Sequence, residues 1–287
     1  MLTGKITIQD LVEAGVHFGH RLSRWNPKMK PYIYGTKNQI HIIDLRYTLR
    51  GLIRGAHFLT RLAATGREVV FVSTKRQAKA IIRREAERCG MHWVTERWLG
   101  GTLTNHATII KRLKRLEELE RLEATGEIEK FSKKMISSLR RERRKILRNL
   151  EGIRRMKLIP GAMIVVDVRR EAIAVREANK MGVVVIGLVD TDSDPTGVDI
   201  IIPGNDDAYR AIEIVVKYLT DAIIAGRDKL IEGAAIAQKR EELPEEAAPE
   251  EAAGAASPEV AAGVSPAPSP SAAVGEIAEA AEDEESA

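Results

Sequence analysis

Short, continuous apolar runs that alternate with helical patterns are the feature that most limits how this chain can fold. Three of these runs are Ala162–Asp167, Gly182–Val189 and Val198–Ile202, and Glu68–Ser73 is another. Strands that are apolar on both faces are typical of a parallel sheet that helices cover on each side. The pattern therefore predicts an α/β fold with a doubly wound parallel sheet.

Helical patterns lie between these runs and complete the predicted domain. The predicted helices are a short capped one from Thr7 to Ala14, then Arg46–Ala64, Lys75–Arg88, Arg170–Lys180 and Asp206–Ala225. Further strands are predicted at Gln39–Asp44 and His92–Thr95. Residues 1–104 and 158–240 thus form the two parts of one α/β domain.

A strongly basic helical segment separates these two parts. Residues 105–157 carry 17 Lys and Arg against 8 Asp and Glu, and leucines and isoleucines recur at spacings of three and four on both sides of Thr125 and Gly126. Two such helices joined by a short turn predict an inserted antiparallel hairpin with coiled-coil-like packing. Arg143 occupies a position where this pattern leads us to expect an apolar residue.

The last 47 residues, 241–287, contain 13 acidic groups, 15 Ala, 6 Pro and no basic or aromatic residue. This composition offers nothing with which to bury a core, so it predicts a disordered acidic tail. The formal net charge of the whole chain is only +4, because the acidic tail offsets a strongly basic body. Residues 1–160 hold 35 basic and 15 acidic side chains. A body this basic indicates a polyanionic partner.

Several classes of protein are disfavoured. No apolar run approaches the ~18–20 residues of a membrane span, and the N-terminus has no stretch of signal-peptide type. The single cysteine, Cys89, cannot form an intrachain disulfide, which fits a reducing cytoplasm. Glycine-rich nucleotide motifs and serine nucleophile motifs are missing. We expect neither enzymatic activity nor a small-molecule substrate, and a nucleotide-dependent enzyme that binds an anion at Ser73–Arg76 is the alternative.

Cations and aromatic rings are interleaved in residues 16–35, where Pro27 and Pro31 are predicted to keep the chain extended. Lys and Arg neutralise phosphates, while aromatic rings stack on unpaired bases. The alternative for Trp25 or Tyr32 is that the ring covers the sheet. The candidate RNA-binding residues in this segment are Arg21, Arg24, Trp25, Asn26, Lys28, Lys30 and Tyr32.

Other candidate RNA-binding residues lie in the first βα turn, in a Gly-rich segment and on the hairpin. They are Lys75, Arg76, Arg97, Trp98, Asn105, Lys111, Lys114, Lys133, Lys134 and Arg144. A charged helix face is often only solvated, but the positive excess favours RNA contact by part of the hairpin. The spread of these residues favours recognition of folded RNA by shape and phosphate. A DNA-binding regulator is the competing class.

Acidic residues follow two of the predicted strands and form a candidate cation site. Because the carboxyl ends of parallel strands meet at one edge, His20, Asp190 and Asp206 are candidate ligands of a structural divalent cation. In the alternative interpretation these aspartates only cap a loop and the last helix. No other cofactor is expected.

Long motifs in the chain resemble the bacterial small-subunit ribosomal protein two family. They are VHFGHRLSRWNPKMKPYIYG at Val16–Gly35, IHIIDL at Ile40–Leu45, RWLGGTLTN at Arg97–Asn105, EANKMGVVVIGLVDTDSDP at Glu177–Pro195 and IIPGNDDAYRAI at Ile201–Ile212. They occur in the family's order and with similar spacing, from about Ile6 to Arg227. The resemblance implies a flavodoxin-like domain with an inserted basic coiled-coil hairpin and no enzymatic activity.

The resemblance also implies partners and a location. It implies binding to small-subunit rRNA and to other small-subunit proteins, including the large mRNA-binding protein built of OB repeats, on ribosomes in the cytoplasm. It places His20 and the aspartates near the side that faces a partner. The acidic tail lies outside the family's pattern, so nothing about it can be transferred.

Overall fold

The computed structural model describes residues 6–241, and at its centre is a parallel β-sheet. The strands are β1 Phe18–Arg21, β2 Ile33–Lys37, β3 Ile40–Ile43, β4 Val69–Val72, β5 His92–Val94, β6 Ala162–Val166, β7 Val184–Val189 and β8 Ile200–Pro203. The helices are α1 Ile8–Glu13, α2 Leu45–Ala64, α3 Arg76–Cys89, α4 His106–Ala124, α5 Lys133–Leu150, α6 Ala172–Lys180 and α7 Tyr209–Glu241. The tail predicted for residues 241–287 lies, after its first residue, outside the described part. No helix in the described range is both long and apolar enough to cross a bilayer.

The main sheet has five parallel strands in the order β5-β4-β6-β7-β8. Counted along the chain within this sheet, the order is 2-1-3-4-5, which is the order of flavodoxin-like folds. Every residue of β4 and β6 is buried, as expected for strands covered on both faces. The predicted α/β class and parallel sheet are confirmed, and the topology is consistent with a flavodoxin-like fold.

Helices cover both faces of this sheet, so two apolar cores lie on its two sides. Because successive strand residues point to opposite faces, Phe71 of β4 enters one core and Val70 enters the other. The first core contains residues of α2, α3 and α7, and the second contains residues of α6 and the buried faces of α4 and α5. The inserted helices therefore share a core with the sheet at their base.

A second, antiparallel sheet in the order β1-β3-β2 lies in the N-terminal segment. The expectation that Pro27 and Pro31 keep this segment extended is wrong, because residues 27–32 form a 3₁₀ helix. Proline suits the first turn of a helix, and the Asn26 side chain caps that turn by accepting a hydrogen bond from Lys28 N at 3.0 Å. Asn38 and Gln39 have positive φ in the turn between β2 and β3, so the strand predicted from Gln39 begins one residue later.

The basic insertion forms α4 and α5, which lie between β5 and β6 in the chain and contact each other. Leu116 of α4 and Leu139 of α5 are among the side chains that they bury. The unexpected Arg143 is half-buried and pairs with Glu123 of α4, so an ion pair replaces an apolar contact at that position. The pair of helices agrees with the predicted insertion, while its antiparallel coiled-coil character stays a prediction.

Candidate nucleic-acid interface

The N-terminal segment carries exposed cations around one buried side chain. Met29 lies at the centre of the 3₁₀ helix and is fully buried, while Arg21, Arg24 and Lys30 are exposed. Burial of one side chain in this short helix fixes the backbone on which the cations stand. The sequence-predicted arginines and Lys30 are therefore available to a partner.

Lys28 is exposed but engaged within the protein. Its Nζ lies 2.8 Å from Asp194 Oδ2 and 2.8 Å from the Thr196 hydroxyl, in the loop after β7. The hydrogen bond from Lys28 lowers the pKa of Asp194 to about 2. Because both partners are more than half exposed, this ion pair contributes little to stability. The ion pair instead holds the N-terminal segment against the loop at the carboxyl end of β7.

The two predicted aromatic contacts differ in exposure. Trp25 is 37% exposed and has its ring centroid 5.4 Å from that of the buried His41. Tyr32 is half-buried and meets Tyr47 edge-on at 5.5 Å. Trp25 is therefore supported from inside the protein while part of its surface remains accessible.

An open groove of about 1080 Å³ lies beside Trp25, between the N-terminal segment and the region from β6 to α6. Its polar lining includes Arg24 and Asn26 on one side and Arg169, Arg176 and Asn179 on the other. The last three residues are not among the contacts predicted from the sequence. They lie more than 140 positions from Trp25 in the chain, and the spacing of Arg176 and Asn179 on α6 is that of an ordinary solvated helix face.

The carboxyl ends of β7 and β8 bring the predicted cation ligands together. One ligand atom each of His20, Asp190 and Asp206 lies within 4.8 Å of the other two. Hydrogen bonding to Asp190, 3.1 Å from His20 Nδ1, raises the pKa of His20 to about 9, while burial opposes this shift. Burial and the neighbouring carboxylates raise the pKa of Asp206. The cluster therefore carries both positive and negative groups of the protein itself.

Lys75 belongs to this cluster, and its contacts argue against the predicted role in RNA binding. Its Nζ lies 2.7 Å from Asp206 Oδ1 and 2.6 Å from Asp207 Oδ1, and the residue is only 8% exposed. Burial and two close carboxylates, of which Asp206 is itself buried, keep this ammonium group away from phosphates. The next residue, Arg76, is exposed and stays a candidate.

The first βα turn is already occupied by a carboxylate of the protein. Oε1 of the buried Glu171 accepts hydrogen bonds from the Thr74 amide at 2.9 Å and from the Thr74 hydroxyl at 2.5 Å. In flavodoxin-like folds the ligand lies at the point where the strand order reverses, which here is between β4 and β6. Glu171 takes the place of a phosphate at this point, so the arrangement argues against nucleotide binding at Ser73–Arg76.

The Gly-rich segment after β5 is held by another buried carboxylate. Glu177 of α6 accepts hydrogen bonds from the amides of Gly101 at 2.7 Å and Leu103 at 3.0 Å, and from the Trp98 indole at 3.3 Å. Trp98 is 6% exposed and lies in the core beside the inserted helices. The ring packs inside the protein, which argues against its predicted role in RNA binding. The preceding Arg97 is exposed.

One face of α5 concentrates positive charge. We define the basic α5 face as Arg141, Arg144, Lys145 and Arg148, which are all exposed and line one shallow depression. Their spacing of three and four residues puts them on the same side of the helix. Lys145 and Arg148 also share a crevice with Arg97. None of the four has a carboxylate within 4.0 Å among the residues that the structure describes. The ion pairs between the two helices use Arg115, Arg140 and Arg143 instead.

The remaining predicted contacts are exposed but scattered. Lys133 and Lys134 lie in the first turn of α5, about 15 Å along the helix axis from Arg144. Lys111 and Lys114 are exposed on α4, and Asn105 precedes that helix and accepts a hydrogen bond from the Thr108 hydroxyl. Of the predicted hairpin residues, only Arg144 lies on the basic α5 face.

Comparison with known proteins identifies relatives of the whole α/β region. The family model described as ribosomal protein S2 matches residues 11–226. The chain is 53% identical over 220 residues to small ribosomal subunit protein uS2 of Rhodopirellula baltica, covering 77% of this chain and 85% of that protein. It is 45% identical over 244 residues to the uS2 protein of Treponema pallidum (strain Nichols), covering 84% of each chain. It is 49% identical over 221 residues to uS2c of Guillardia theta, covering 77% of this chain and 94% of that protein.

These matches cover both the parallel sheet and the inserted helices, and they include the groove and the basic α5 face. The family is that of a structural, non-enzymatic protein of the small ribosomal subunit, so the expectation of no enzymatic activity is confirmed. The resemblance noted in the sequence motifs is confirmed as well. The chain belongs to the ribosomal protein S2 family.

Proposed function

We propose that this chain, as a structural protein of the small ribosomal subunit, binds small-subunit rRNA during translation in the cytoplasm. The observation that carries the proposal is the basic α5 face, whose four cations are exposed and lie on one side of a helix. Arg97 extends this surface to the loop after β5. The exposed Arg21, Arg24 and Lys30 of the N-terminal segment form the second contact region.

A helix face of this kind suits the phosphate backbone of folded RNA. The major groove of an A-form helix is too narrow for side chains to reach base edges, so proteins contact the phosphates and, across the shallow minor groove, the 2′-hydroxyls. Side chains three and four residues apart are about 5–6 Å apart, which is similar to the spacing of successive phosphates. Binding should therefore be electrostatic in affinity and geometric in specificity.

Co-sedimentation tests this proposal. We expect the chain to travel with small subunits depleted of their own copy and to be released as salt rises. Contacts to ~6–10 phosphates reduce affinity by about 10³–10⁵ between low and moderate salt. Sedimentation at a series of KCl concentrations measures that slope. Failure to associate with subunits at low salt, or an association that salt does not weaken, contradicts the proposal.

We further propose that the chain helps to anchor the large mRNA-binding protein built of OB repeats. This follows from the resemblance, and the supporting feature is the contrast of charge within the chain. The loop after β8 carries Asp207 at the surface, which suits a protein partner better than RNA. A pull-down with the tagged chain after nuclease digestion tests this direct contact, and we expect the partner to be recovered. Loss of the partner on digestion indicates that RNA bridges the two proteins.

The cation site at His20, Asp190 and Asp206 stays a proposal of its own. An imidazole and two carboxylates form a ligand set that zinc accepts, and Lys75 would have to release Asp206 for an ion to enter. Titration calorimetry of the full chain with Zn²⁺ is expected to show one site that both His20→Ala and Asp190→Asn remove. Equal binding by Asp228→Asn, an exposed control, is expected. Zinc uptake unchanged in the two cluster variants contradicts the site.

A further inference from the structure

The groove beside Trp25 combines three kinds of recognition that the basic α5 face lacks. It offers an accessible aromatic ring, guanidinium groups and two amide side chains within one concave surface of about 1080 Å³. Pockets that hold small ligands measure ~300–1,000 Å³, so this groove has room for a nucleotide and part of its neighbours. The basic α5 face, in contrast, is purely cationic.

The charges in the groove leave a positive surplus. Its two carboxylates are each paired with a cation, Asp192 with Arg169 at 2.6 Å and Asp194 with Lys28 at 2.8 Å. Arg24 and Arg176 have no carboxylate within 4.0 Å among the described residues. These two guanidinium groups are therefore the ones that remain for a phosphate from outside.

Hydrogen bonds within the protein hold the polar side chains of the groove in place. They leave one donor and one acceptor of these side chains available to a ligand. Arg176 Nε donates to the Ala172 carbonyl at 3.2 Å, so the end of the guanidinium is held in place. Asn26 Oδ1 is used by the Lys28 amide at 3.0 Å, which leaves its NH₂ group as a donor. Asn179 Nδ2 donates to the Gly197 carbonyl at 3.0 Å, which leaves its carbonyl oxygen as an acceptor.

We infer that this groove binds an unpaired nucleotide of an RNA strand, an inference that rests on the proposed function. The base of this nucleotide stacks on Trp25. The edge of the base accepts a hydrogen bond from the Asn26 NH₂ group and donates one to the Asn179 carbonyl oxygen. The phosphate of the nucleotide lies against Arg24 and Arg176. Unpaired bases are the part of RNA that aromatic rings and side-chain amides recognise, because paired bases are hidden in the helix. A duplex presents only its backbone, so it cannot use the ring.

Fluorescence and anisotropy titrations of the full chain test the inference with three probes. The probes are a labelled eight-nucleotide single-stranded RNA of mixed sequence, the same strand in a duplex, and free mononucleotides. Stacking on an aromatic ring is worth ~1–3 kcal/mol per base, so Trp25→Ala is expected to weaken the single-stranded RNA about 5–150-fold. Duplex affinity should stay within about two-fold. Trp25→Phe should recover part of the loss, and Arg176→Ala should weaken the same probe.

Quenching of intrinsic fluorescence distinguishes stacking on Trp25 from a purely structural role of this residue, because only a stacked base would quench its emission. Of the three tryptophans, Trp98 is buried and Trp93 half-buried, so a base stacked on Trp25 should quench an emission that Trp25→Phe removes. Equal losses for single strand and duplex, or no loss in Trp25→Ala and Arg176→Ala, overturn the inference. Saturable binding of mononucleotides as tight as that of the oligonucleotide also overturns it, since the groove would then be a site for free nucleotides.

These outcomes are separable from those of the proposed function. A chain that does not sediment with small subunits but still prefers single-stranded RNA through Trp25 refutes the ribosomal role of this chain and keeps the groove. A chain that sediments normally while Trp25→Ala leaves every RNA affinity unchanged keeps the role and refutes the groove. The two experiments use the same proteins, so the comparison is direct.

Discussion

Replacement of Arg141, Arg144, Lys145 and Arg148 by Gln is expected to weaken binding to small subunits about 10²–10³-fold at ~0.1 M salt. Each cation that contacts a phosphate releases a counterion, so its loss reduces both the affinity and the salt dependence. We expect the slope of log affinity against log salt to fall by about 3. Glutamine preserves helix propensity, so the effect should come from charge rather than from unfolding of α5.

A matched variant distinguishes the basic α5 face from net charge alone. Lys180, Arg210, Lys217 and Lys229 are exposed cations of α6 and α7 that lie elsewhere on the molecule. Their replacement by Gln changes the net charge equally and is expected to alter binding less than about three-fold. Equal losses in both variants, measured by sedimentation and accompanied by unchanged circular dichroism, show that total charge matters and the face does not.

Glu177→Ala is expected to lower the free energy of unfolding by about 3 kcal/mol. The substitution removes the acceptor of the Gly101 and Leu103 amides and of the Trp98 indole, and each unpaired buried donor costs ~1–3 kcal/mol. Entry of water into the space offsets part of the sum. Urea unfolding followed by circular dichroism measures the change, and Glu117→Gln on the exposed surface of α4 serves as the control. A midpoint equal to that of the parent protein contradicts the assignment.

The same carboxylate predicts a dependence of stability on pH. Burial raises the pKa of Glu177, but the hydrogen bonds from Gly101, Leu103 and Thr104 together outweigh burial and hold the pKa below its usual value. A lowered pKa in the folded state stabilises the protein above the unfolded pKa of ~4.3, and this contribution is lost as the pH falls through the folded value. Glu177→Gln should therefore flatten the loss of stability below about pH 4.

The parallel sheet could be predicted from sequence because its signal is local. A strand such as Ala162–Val166 is apolar at every position, and few structures other than a buried parallel strand accept that pattern. Residues 16–35 gave no comparable signal. There, proline favours an extended chain by sequence alone, but the cap supplied by Asn26 makes Pro27 the first residue of a 3₁₀ helix.

The candidate site was only partly predictable, since exposure depends on partners far away in sequence. Nothing near Lys75 or Trp98 in the chain indicates that Asp206 and Glu177 will bury them. Arg176 shows the reverse, because only the fold brings it opposite Trp25. The charge pattern indicates that the basic segments are exposed. It does not indicate which side of α5 carries cations without a carboxylate partner, because the ion pairs with α4 decide that.

The Glu171 carboxylate at the first βα turn has a consequence for how this protein reaches its mature form. In flavin- and nucleotide-binding proteins with this strand order the corresponding turn offers an anion position that a ligand fills, whereas here Thr74 is satisfied by a side chain from the same polypeptide. This corner of the fold is complete as soon as the chain has folded. Maturation of this corner therefore requires no bound nucleotide to satisfy the Thr74 donors.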